Sequence, residues 1–577
     1  MPALPLATYR SISLPAAARL RYPSPMRALA FSLALFLTAH LAADEPVYHP
    51  GTTRKVLQLT GDVDAPLRRP TLSRSGLSAG VFGTDLGHSF EHRGRLCFLF
   101  GDTVGRGGFL DDCLAFSDST DPRRLTLDFP VGNDGLFVPL RVPGIRHGAM
   151  EVPTGGISLS GRMYVSFTTG FVPVPPIIGK SVLAKSDDDG RTWKLLYDLS
   201  VAQNNDMKTL RFLVVDMLEV DAVDYPGRLP VASGKVVLIW GSGEYRKSHL
   251  YLAAIPSERI EDKSAMRYYS GFREGAPVWS ENERDAIALF ADPQVGEFSV
   301  DWIAPVERWI VLYNSVKPAG VLMRSATAPW GPWSAPRHIV DPIADGGMAR
   351  WMHVPDSLGP WDGFSDPGKE AVPGGLYGPY LINRFTRGDA ERCTLYYTLS
   401  TWNPYQVVLM QSEIGRPLPM RPGREKRATL APGDKSWKRS APECAQWLDA
   451  EDGRRLTTFT DEGDAATGYL WRRLPCDDRN LRLAFNVSGG QAEVLLLEGA
   501  ADLPDRADPA QLYRDLKAGR YGDVVQCAWG RNHDAVRVPV DWDLRPIDSA
   551  NLTLVIIDHL ATRWGRVSVS EMTLSRR

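Results

Sequence analysis

Two aspartates flank one predicted β-hairpin in the segment SAGVFGTDLGHSFEHRGRLCFLFGDTVGRGG, which spans residues 78–108. Asp85 and Asp102 are equidistant from the predicted turn at Arg93–Gly94. Antiparallel pairing in that register puts directly opposed residues on one sheet face, with Cβ atoms about 4.5 to 5.5 Å apart. We therefore expect Asp85 and Asp102 to face each other at one end of the hairpin.

Two close carboxylates are suited to glycoside hydrolysis, in which one acts as nucleophile and the other as general acid and then base. Their mutual repulsion raises one of the two pKa values, which favours the acid role near neutral pH. A separation of about 5 to 5.5 Å predicts retention of anomeric configuration, and a wider one predicts inversion. A structural role is the alternative, because Asp102 in FGDT and Asp85 in GTDLG can each cap a turn.

Further polar and aromatic residues could bind a substrate around this pair. Glu151 and Glu297 begin the innermost strands of their units and could bind sugar hydroxyls or assist protonation, while the planar guanidinium of Arg246 could orient an acid. The alternative for each is satisfaction of neighbouring backbone or packing within a sheet. The predicted substrate-binding residues are His88, Glu151, Arg246, Glu297, Tyr377, Tyr380, Asn383 and Trp402, with Arg384 and Tyr405 as further candidates to line the pocket.

These residues lie on short apolar runs separated by clusters of Gly, Pro, Asp and Asn, a pattern that predicts an all-β chain. A polar residue enters each of five successive units, at Asp85, Glu151, Asp216, Glu297 and Tyr380, in steps of 66, 65, 81 and 83 residues. Roughly even units of strands predict a five-bladed β-propeller. A large β-sandwich with coincidental spacing is the alternative.

The segment SDDDGRTW, from Ser186 to Trp193, matches the turn known as the Asp box. Its Asp and Gly favour a tight hairpin turn, and its Trp packs beneath that turn. The motif therefore predicts the edge of a propeller blade and not a catalytic centre.

Changes in composition divide the chain into four segments. Residues 1–43 contain the apolar run ALAFSLALFLTAHLAA after Met26-Arg27, which predicts a signal peptide or leader with Met26 as the favoured start. Residues 50–415 are the predicted propeller, 416–443 a linker rich in Pro, Gly and charge, and 444–577 a β-sandwich accessory domain. We expect a secreted or periplasmic protein; an uncleaved amino-terminal membrane anchor is the alternative.

Charge and cysteine content limit the partners. The chain has 66 basic and 68 acidic residues and a net charge of -2, which is not typical of a nucleic-acid-binding or polybasic membrane surface. We expect a polysaccharide or other glycan as the partner, a monomer, and no stable membrane insertion after signal cleavage. The six cysteines show no metal-ligand spacing, so no metal or cofactor is predicted. Cys97 and Cys113 could form a disulfide, as could two of the three carboxy-terminal cysteines.

Several segments together resemble a known family. GTDLGHSF, FLFGDT, YRKSHLYLA, GEFSVDW, LYGPYLI and YYTLSTWNPYQVVLM are similar to a bacterial five-bladed propeller family first catalogued as domain of unknown function 4185. The resemblance covers about Ser75 to Ile414. Some members are endo-D-arabinanases, retaining glycoside hydrolases with two catalytic Asp residues. The resemblance therefore implies an endo-D-arabinanase-like activity, with Asp85 and Asp102 as the catalytic pair.

Three other functions are considered. A sialidase-like exo-glycosidase is typical of Asp-box proteins, but it requires an arginine cluster that the sequence does not show. A non-catalytic glycan-binding propeller would bind sugar without hydrolysis, with the carboxy-terminal sandwich adding avidity. A metal-dependent hydrolase or lyase lacks a ligand motif.

Overall fold

The computed structural model describes residues 45–576 apart from short gaps. The predicted signal peptide or leader at 1–43 lies outside the described residues. The gaps are 67–68, 106–107, 174–175, 343–344, 346, 349, 356–361, 363, 418–425, 431–434, 441–447, 450–454, 458–466, 475–479, 491, 500–501, 531–532, 545–550 and 561–566.

The described residues are almost entirely antiparallel β-structure, which confirms the all-β prediction. Two short α-helices occur among them, α1 (Ser75–Ala79) and α2 (Pro509–Lys517). No helix in these ranges is long and apolar enough to span a bilayer. Turns of 3-10 helix lie at Pro122–Arg124, Met207–Thr209, Ala222–Asp224, Ser257–Arg259, Lys263–Ala265, Glu283–Asp285, Ala304–Val306 and Asn383–Phe385.

Five sheets follow one another along residues 47–415 of the described chain. The chain begins with β1 (Val47–Tyr48), β2 (Arg54–Gln58), and a short ribbon of β3 (Val63–Asp64) and β4 (Arg69–Pro70). Sheet 1 contains β5 (Val81–His92), β6 (Arg95–Gly105) and β7 (Gly108–Ser117). Sheet 2 contains β8 (Pro153–Leu159), β9 (Arg162–Pro173), β10 (Pro176–Ser186) and β11 (Lys194–Val201). Sheet 3 contains β12 (Val214–Asp221), β13 (Lys235–Ser242), β14 (Leu250–Pro256), β15 (Arg267–Arg273) and β16 (Ala276–Ser280). Sheet 4 contains β17 (Phe298–Ile303), β18 (Arg308–Val316), β19 (Ala319–Ala326) and β20 (Arg337–Val340). Sheet 5 contains β21 (Leu376–Leu381), β22 (Arg387–Gly388), β23 (Cys393–Trp402) and β24 (Tyr405–Gly415), with β1 and β2 paired to β24.

The first strands of the five sheets form a closed ring. β5 contacts β8, β8 contacts β12, β12 contacts β17, β17 contacts β21, and β21 returns to β5. The ring is completed by strands from both ends of this region, because Val47 pairs with Gly415 and Arg54 with Gln411. The five first strands therefore surround one central channel.

Apolar side chains fill the space between neighbouring sheets. Alternation along each strand sends successive side chains to opposite faces. Ile239 thus packs towards sheet 2 with Leu183, while Trp240 packs towards sheet 4 with Trp309. Similar clusters lie between each other pair of neighbouring sheets, including sheets 5 and 1. Burial of these large side chains holds the sheets around the channel.

The Asp-box turn has the structural role predicted for it. The backbone N–H of Thr192 donates to Asp188 at 2.8 Å, and the Trp193 indole donates to the Gly190 carbonyl at 3.0 Å. The buried Trp193 ring packs edge-on against Phe167, with centroids 5.9 Å apart.

Cys97 and Cys113 do not form the suggested disulfide; both are free and buried. Cys97 pairs with Phe116, whereas Cys113 pairs with Phe100 three residues further along β6. The odd separation puts the two thiols on opposite faces of sheet 1, one towards sheet 2 and one towards sheet 5.

Two further sheets lie after the ring. One contains β25 (Lys426–Thr429), β27 (Leu448–Asp449), β28 (Arg455–Thr457), β30 (Asn480–Gly489), β33 (His533–Asp543) and β35 (Val567–Arg576). The other contains β26 (Lys438–Arg439), β29 (Gly468–Arg473), β31 (Glu493–Glu498), β32 (Asp523–Trp529) and β34 (Leu552–Asp558). Both contribute to one apolar cluster, and α2 packs on the second sheet.

The carboxy-terminal sheets begin earlier than predicted. β25 and β26 lie within 416–443, the segment predicted as linker, and pair with β35 and β29. These strands are short and surrounded by Pro, Gly and charged residues, so the composition of the segment does not indicate strands. Arg54 of the ring pairs with Glu498, and Arg350 donates to the Val524 carbonyl, so the ring and these sheets are in contact.

Candidate active site

The β5–β6 hairpin follows the predicted register from its turn as far as His88. A bulge at Gly87 then shifts the pairing by one residue, so that Asp85 lies opposite Gly101. A β-bulge places two residues of one strand against one of its partner. The prediction that Asp85 and Asp102 are directly opposed is therefore wrong by one position.

The backbone at both aspartates departs from regular extended geometry. Gly87 has a φ of 86°, and a Cβ placed there would lie 3.0 Å from Cγ1 of Val407. Leu86 and Asp102 have φ values of 64° and 43°, in the left-handed region that residues other than glycine rarely adopt. Such strain is concentrated at functional sites, where surrounding structure holds it.

Despite the shifted register, Asp85 and Asp102 line one cavity at the same end of the ring. The cavity measures about 500 Å³, open solvent included. Its lining combines carboxylates, tyrosines and threonines with apolar side chains. Its lining residues are Asp85, Leu86, Asp102, Met150, Val152, Thr154, Thr168, Ile178, Leu213, Val214, Tyr245, Glu297, Tyr377 and Tyr380.

Asp85 is buried and holds its proton strongly. Its Oδ2 accepts a hydrogen bond of 2.9 Å from the hydroxyl of Tyr377, while its buried Oδ1 accepts none from the described residues. Burial, followed by the negative charge of Asp102, raises the pKa of Asp85 well above its usual range, and the bond from Tyr377 opposes the rise. Asp85 is therefore suited to donate a proton near neutral pH.

The ionised form of Asp102 is better stabilised by its hydrogen bonds than that of Asp85. The backbone N–H of Met150 donates to its Oδ1 at 3.1 Å and to its Oδ2 at 3.4 Å. Burial raises the pKa of Asp102 above its usual value, and the bond from Met150 offsets only part of that rise. The carbonyl oxygen of Asp102 accepts a hydrogen bond of 3.1 Å from the Tyr405 hydroxyl, which fixes the backbone at this position.

A third carboxyl group, Asp112 on β7, lies behind Asp102. Asp112 is 3% exposed, and burial raises its pKa to about 7. The backbone N–H of Asp102 hydrogen-bonds its side chain, and Nδ1 of His147 lies 3.8 Å from its Oδ2. Asp112 thus holds the irregular backbone of Asp102 from the side away from the cavity.

Glu297 is held as an anion by Arg246. Oε1 accepts bonds of 2.7 Å from both Tyr245 and Arg246, and Oε2 accepts bonds of 3.1 Å from Arg246 and 3.2 Å from Asn314. Burial raises the pKa of Glu297, but the charge and hydrogen bonds of Arg246 outweigh it, so the pKa is lowered. The surroundings of Glu297 therefore favour its ionised form, and it lines the cavity. Arg246 lies 5.2 Å from the centroid of the Tyr377 ring and orients that residue.

Of the predicted binding residues, Glu297, Tyr377 and Tyr380 line the cavity, and five do not: His88, Glu151, Arg246, Asn383 and Trp402. His88 bonds to Asp216 at 2.8 Å, and Asn383 donates to Asp301 at 3.0 Å; all four line a second cavity of about 840 Å³, formed by other parts of the first strands. Glu151 is buried, accepts the Phe171 N–H at 2.9 Å and lines neither cavity. This contact of Glu151 satisfies neighbouring backbone, which is the structural alternative given for it above.

Trp402 is also outside the cavity, on an exposed hairpin tip. Sequence reasoning missed Tyr245, Met150 and Asp112. Tyr245 adjoins Arg246 in GEYRKS and could have been found by extending the predicted site by one residue. Met150 acts through its backbone N–H, and Asp112 was not among the predicted site residues, so neither has a signal in the sequence.

No group of three or more metal-ligating side chains occurs in the described ranges. The cavity lined by Asp85 and Asp102 is termed the acid cavity, and its described lining includes no arginine. Arg246 lies at its edge and is paired with Glu297. The arrangement supplies a proton donor, a fixed carboxylate and a partly apolar lining, which together suit acid-assisted nucleophilic substitution on a neutral molecule.

Comparison with known proteins gives one family match. The model of the family described as Domain of unknown function (DUF4185) matches residues 73–411. A search of curated proteins gives no match.

Solved structures show distant likenesses. An exo-β-1,3-galactanase from Phanerochaete chrysosporium with β-1,3-galactotriose aligns over 91% of this chain and 100% of its own, with 8% identity and a TM-score of 0.39. A GH43_1 enzyme from Xanthomonas citri complexed with xylotriose covers 57% of this chain and 87% of its own, with 11% identity and a TM-score of 0.32. A GH62 hydrolase with xylotriose has the same identity and TM-score and covers 92% of its own chain. Scores this low carry no conclusion about this chain.

Proposed function

The chain belongs to the family described as Domain of unknown function (DUF4185), as its motifs indicated, and from that premise we propose that it is a glycoside hydrolase acting on a polysaccharide. The observation that carries the proposal is the pair Asp85 and Asp102 in one cavity, with unequal environments. Unequal pKa values in a carboxyl pair are the usual basis for separate acid and nucleophile roles.

In the proposed mechanism, a carboxylate oxygen of Asp102 attacks the anomeric carbon as the bond to the leaving sugar oxygen breaks. Asp85 donates its proton to that oxygen. Asp85 then removes a proton from water, which attacks the same carbon and releases Asp102. The two inversions retain the anomeric configuration. The Met150 N–H holds the nucleophile, and Tyr377 orients the acid.

An endo-D-arabinanase-like activity is the specific form we propose, on the basis of the motif resemblance. The cavity supports a neutral substrate, because no unpaired cation lines it to bind a sugar carboxylate. This favours the arabinanase over the sialidase-like alternative, which needs an arginine cluster around a carboxylate. The experiment below distinguishes the hydrolase from the non-catalytic glycan-binding alternative.

The remaining proposals concern architecture and location. We propose that the ring of sheets is a five-bladed β-propeller and that the two sheets after it form an accessory β-sandwich. The closed ring of first strands and the shared apolar cluster of the later sheets support these assignments. We also propose export to the periplasm or the medium, which amino-terminal sequencing of the mature protein would test.

The activity is tested by incubating the purified protein with mycobacterial-type D-arabinan, other furanosides and common plant and bacterial glycans. We expect release of reducing ends from arabinan, with retained anomeric configuration by NMR. Asp85→Asn and Asp102→Asn should each lower the rate by at least about 10³-fold, within the range that removal of a reacting group costs. Asp301→Asn, a matched change outside the acid cavity, should retain activity.

Folded protein that releases no reducing ends from any glycan would overturn the hydrolase proposal. If it still bound arabinan, and both Asp→Asn variants bound equally well, the glycan-binding alternative would replace it. Unchanged rates in the two variants would instead remove these residues from the mechanism.

A further inference from the structure

Trp402 is exposed in a way that distinguishes it from the other tryptophans. Its exposure is 46%, whereas every other Trp in the described ranges is buried or half-buried. It lies at the tip of the β23–β24 hairpin, where it pairs with Tyr405. Single exposed apolar side chains are common on protein surfaces, so what distinguishes Trp402 is how the hairpin tip is held and what lies beside the ring.

The hairpin tip that carries Trp402 is rigidly held. Asn403 is fully buried, and its Nδ2 donates to the carbonyls of Lys369 at 3.0 Å and Val372 at 2.7 Å. Its Oδ1 accepts the Asp366 N–H at 2.8 Å, and Oδ2 of Asp366 accepts the Tyr405 N–H at 3.1 Å. The exposed ring is thus presented in one orientation, which reduces the entropy lost when a ligand binds.

The tip is connected directly to the acid pair. The Trp402 and Tyr405 rings pack edge to face with centroids 6.4 Å apart, and the Tyr405 hydroxyl donates to the Asp102 carbonyl at 3.1 Å. Trp402 therefore lies on the rim at the acid end of the ring, one side chain away from the Asp102 backbone.

The surroundings of Trp402 suit an uncharged ligand. The ammonium group of Lys369 lies 4.5 Å from the centroid of the Trp402 ring. That charge is balanced by Asp366, whose Oδ2 lies 3.1 Å from the Lys369 Nζ. Because the Lys369 ammonium lies over one face of the indole, a sugar ring would stack its C–H groups on the other face.

We propose that Trp402 is a sugar-binding platform outside the cavity, which holds a further residue of the polysaccharide chain cleaved between Asp85 and Asp102. This inference rests on the proposed hydrolase function and adds to it a dependence on chain length. A substrate that occupies only the cavity gains nothing from Trp402. A longer chain gains the additional stacking contact.

The test compares Trp402→Ala with wild type on D-arabinan and on a short aryl arabinofuranoside that fills only the cavity. We expect kcat/KM on the polymer to fall about tenfold, as loss of about 1.4 kcal/mol implies, and kcat/KM on the short substrate to stay unchanged. Trp402→Phe should recover most of the loss. The matched control is Phe272→Ala, since Phe272 is 51% exposed on β15, away from the acid cavity, and should change neither rate.

An unchanged rate on the polymer, or equal losses on both substrates, would overturn the platform. The binding itself is measured separately by affinity electrophoresis of wild type and Trp402→Ala in gels containing D-arabinan. If no glycan is cleaved, the hydrolase proposal fails, but the gel still decides the platform. Weaker retardation of Trp402→Ala would support it, and equal retardation would overturn it.

Discussion

The hydroxyl of Tyr377 donates a hydrogen bond of 2.9 Å to Oδ2 of Asp85. This bond joins the first strand of sheet 5 to the first strand of sheet 1, where the ring closes. The bond also lowers the pKa of Asp85, because it favours the ionised carboxylate. Burial and the charge of Asp102 favour the neutral acid and raise that pKa.

Tyr377→Phe should therefore raise the pKa of Asp85 further. If Asp85 is the general acid, the alkaline limb of kcat/KM should move up by about one pH unit, since a hydrogen bond to a charged group contributes about 1.5 kcal/mol or more. The matched control is Tyr197→Phe, whose hydroxyl donates to the Ile260 carbonyl, and its profile should equal that of wild type. A downward shift would contradict the assigned role.

Gly87→Ala should disturb the bulge that sets the position of Asp85. The new methyl group would meet Val407 at 3.0 Å on a backbone with a φ of 86°. Gly94→Ala at the hairpin turn has a similar φ of 82° and nothing within 4 Å, so it isolates the backbone strain. We expect both variants to lose about 1 kcal/mol of unfolding free energy, but only Gly87→Ala to lose hydrolytic rate. Equal rates would show that the bulge does not position Asp85.

Glu297→Gln should destabilise the protein, because Arg246 would remain partly buried without its counterion. We expect a loss of about 2 kcal/mol in urea unfolding, below the usual cost for a fully buried pair because Arg246 is 30% exposed. Glu391→Gln breaks an exposed pair with Arg416 and should cost less than about 0.5 kcal/mol. Similar losses in the two variants would argue against a specific role for the Arg246 contact.

Chemical rescue should distinguish the two aspartates. Asp102→Gly leaves room for azide, which would attack the anomeric carbon from the nucleophile's side and give a glycosyl azide of inverted configuration. Asp85→Gly leaves the nucleophile in place, so azide would intercept the covalent intermediate and give the retained configuration. NMR of the products identifies each anomer. The reverse pattern would exchange the proposed roles.

Asp301 should make stability depend on pH. Burial, with the Asp216 charge, raises its pKa to about 7, so the folded protein keeps a proton that the unfolded chain releases near pH 4. The stabilisation from this group is complete below pH 4 and is lost as pH rises to 7. The stability of wild type relative to Asp301→Asn should therefore fall across that range, by up to about 4 kcal/mol, since each pKa unit corresponds to about 1.4 kcal/mol. A difference that is constant with pH would contradict the raised pKa.

Local patterns in the sequence predict the strands well, because each hairpin and the Asp-box turn are formed by adjacent residues. The one-residue shift at Gly87 was not visible, since Leu86 and Gly87 in GTDLG fit a simple turn as well as a bulge. The approximate symmetry about the Arg93–Gly94 turn therefore led to two acids that do line one cavity, but in a wrong register.

The partners of the acids could not be predicted, because they come from distant parts of the chain. Tyr377 and Asp85 are 292 residues apart and meet only when the ring closes. The same holds for Glu297, whose type suggested proton transfer. Its four hydrogen bonds depend on side chains brought from neighbouring strands, and they leave it an ionised support for Arg246.

The attachment of β1 and β2 to β24 affects how the ring is made. The backbone N–H of Glu413 bonds to Thr52 across 361 residues of sequence, so β1 and β2 cannot complete the ring until β24, its last strand, has been made. Contacts this distant slow folding, because a long loop must be ordered before it forms. Until β24 is synthesised, both sheet edges remain open to non-native pairing. Removal of the residues before 60 would take away β1 and β2, and would leave the edge of β24 without these partners in the folded protein.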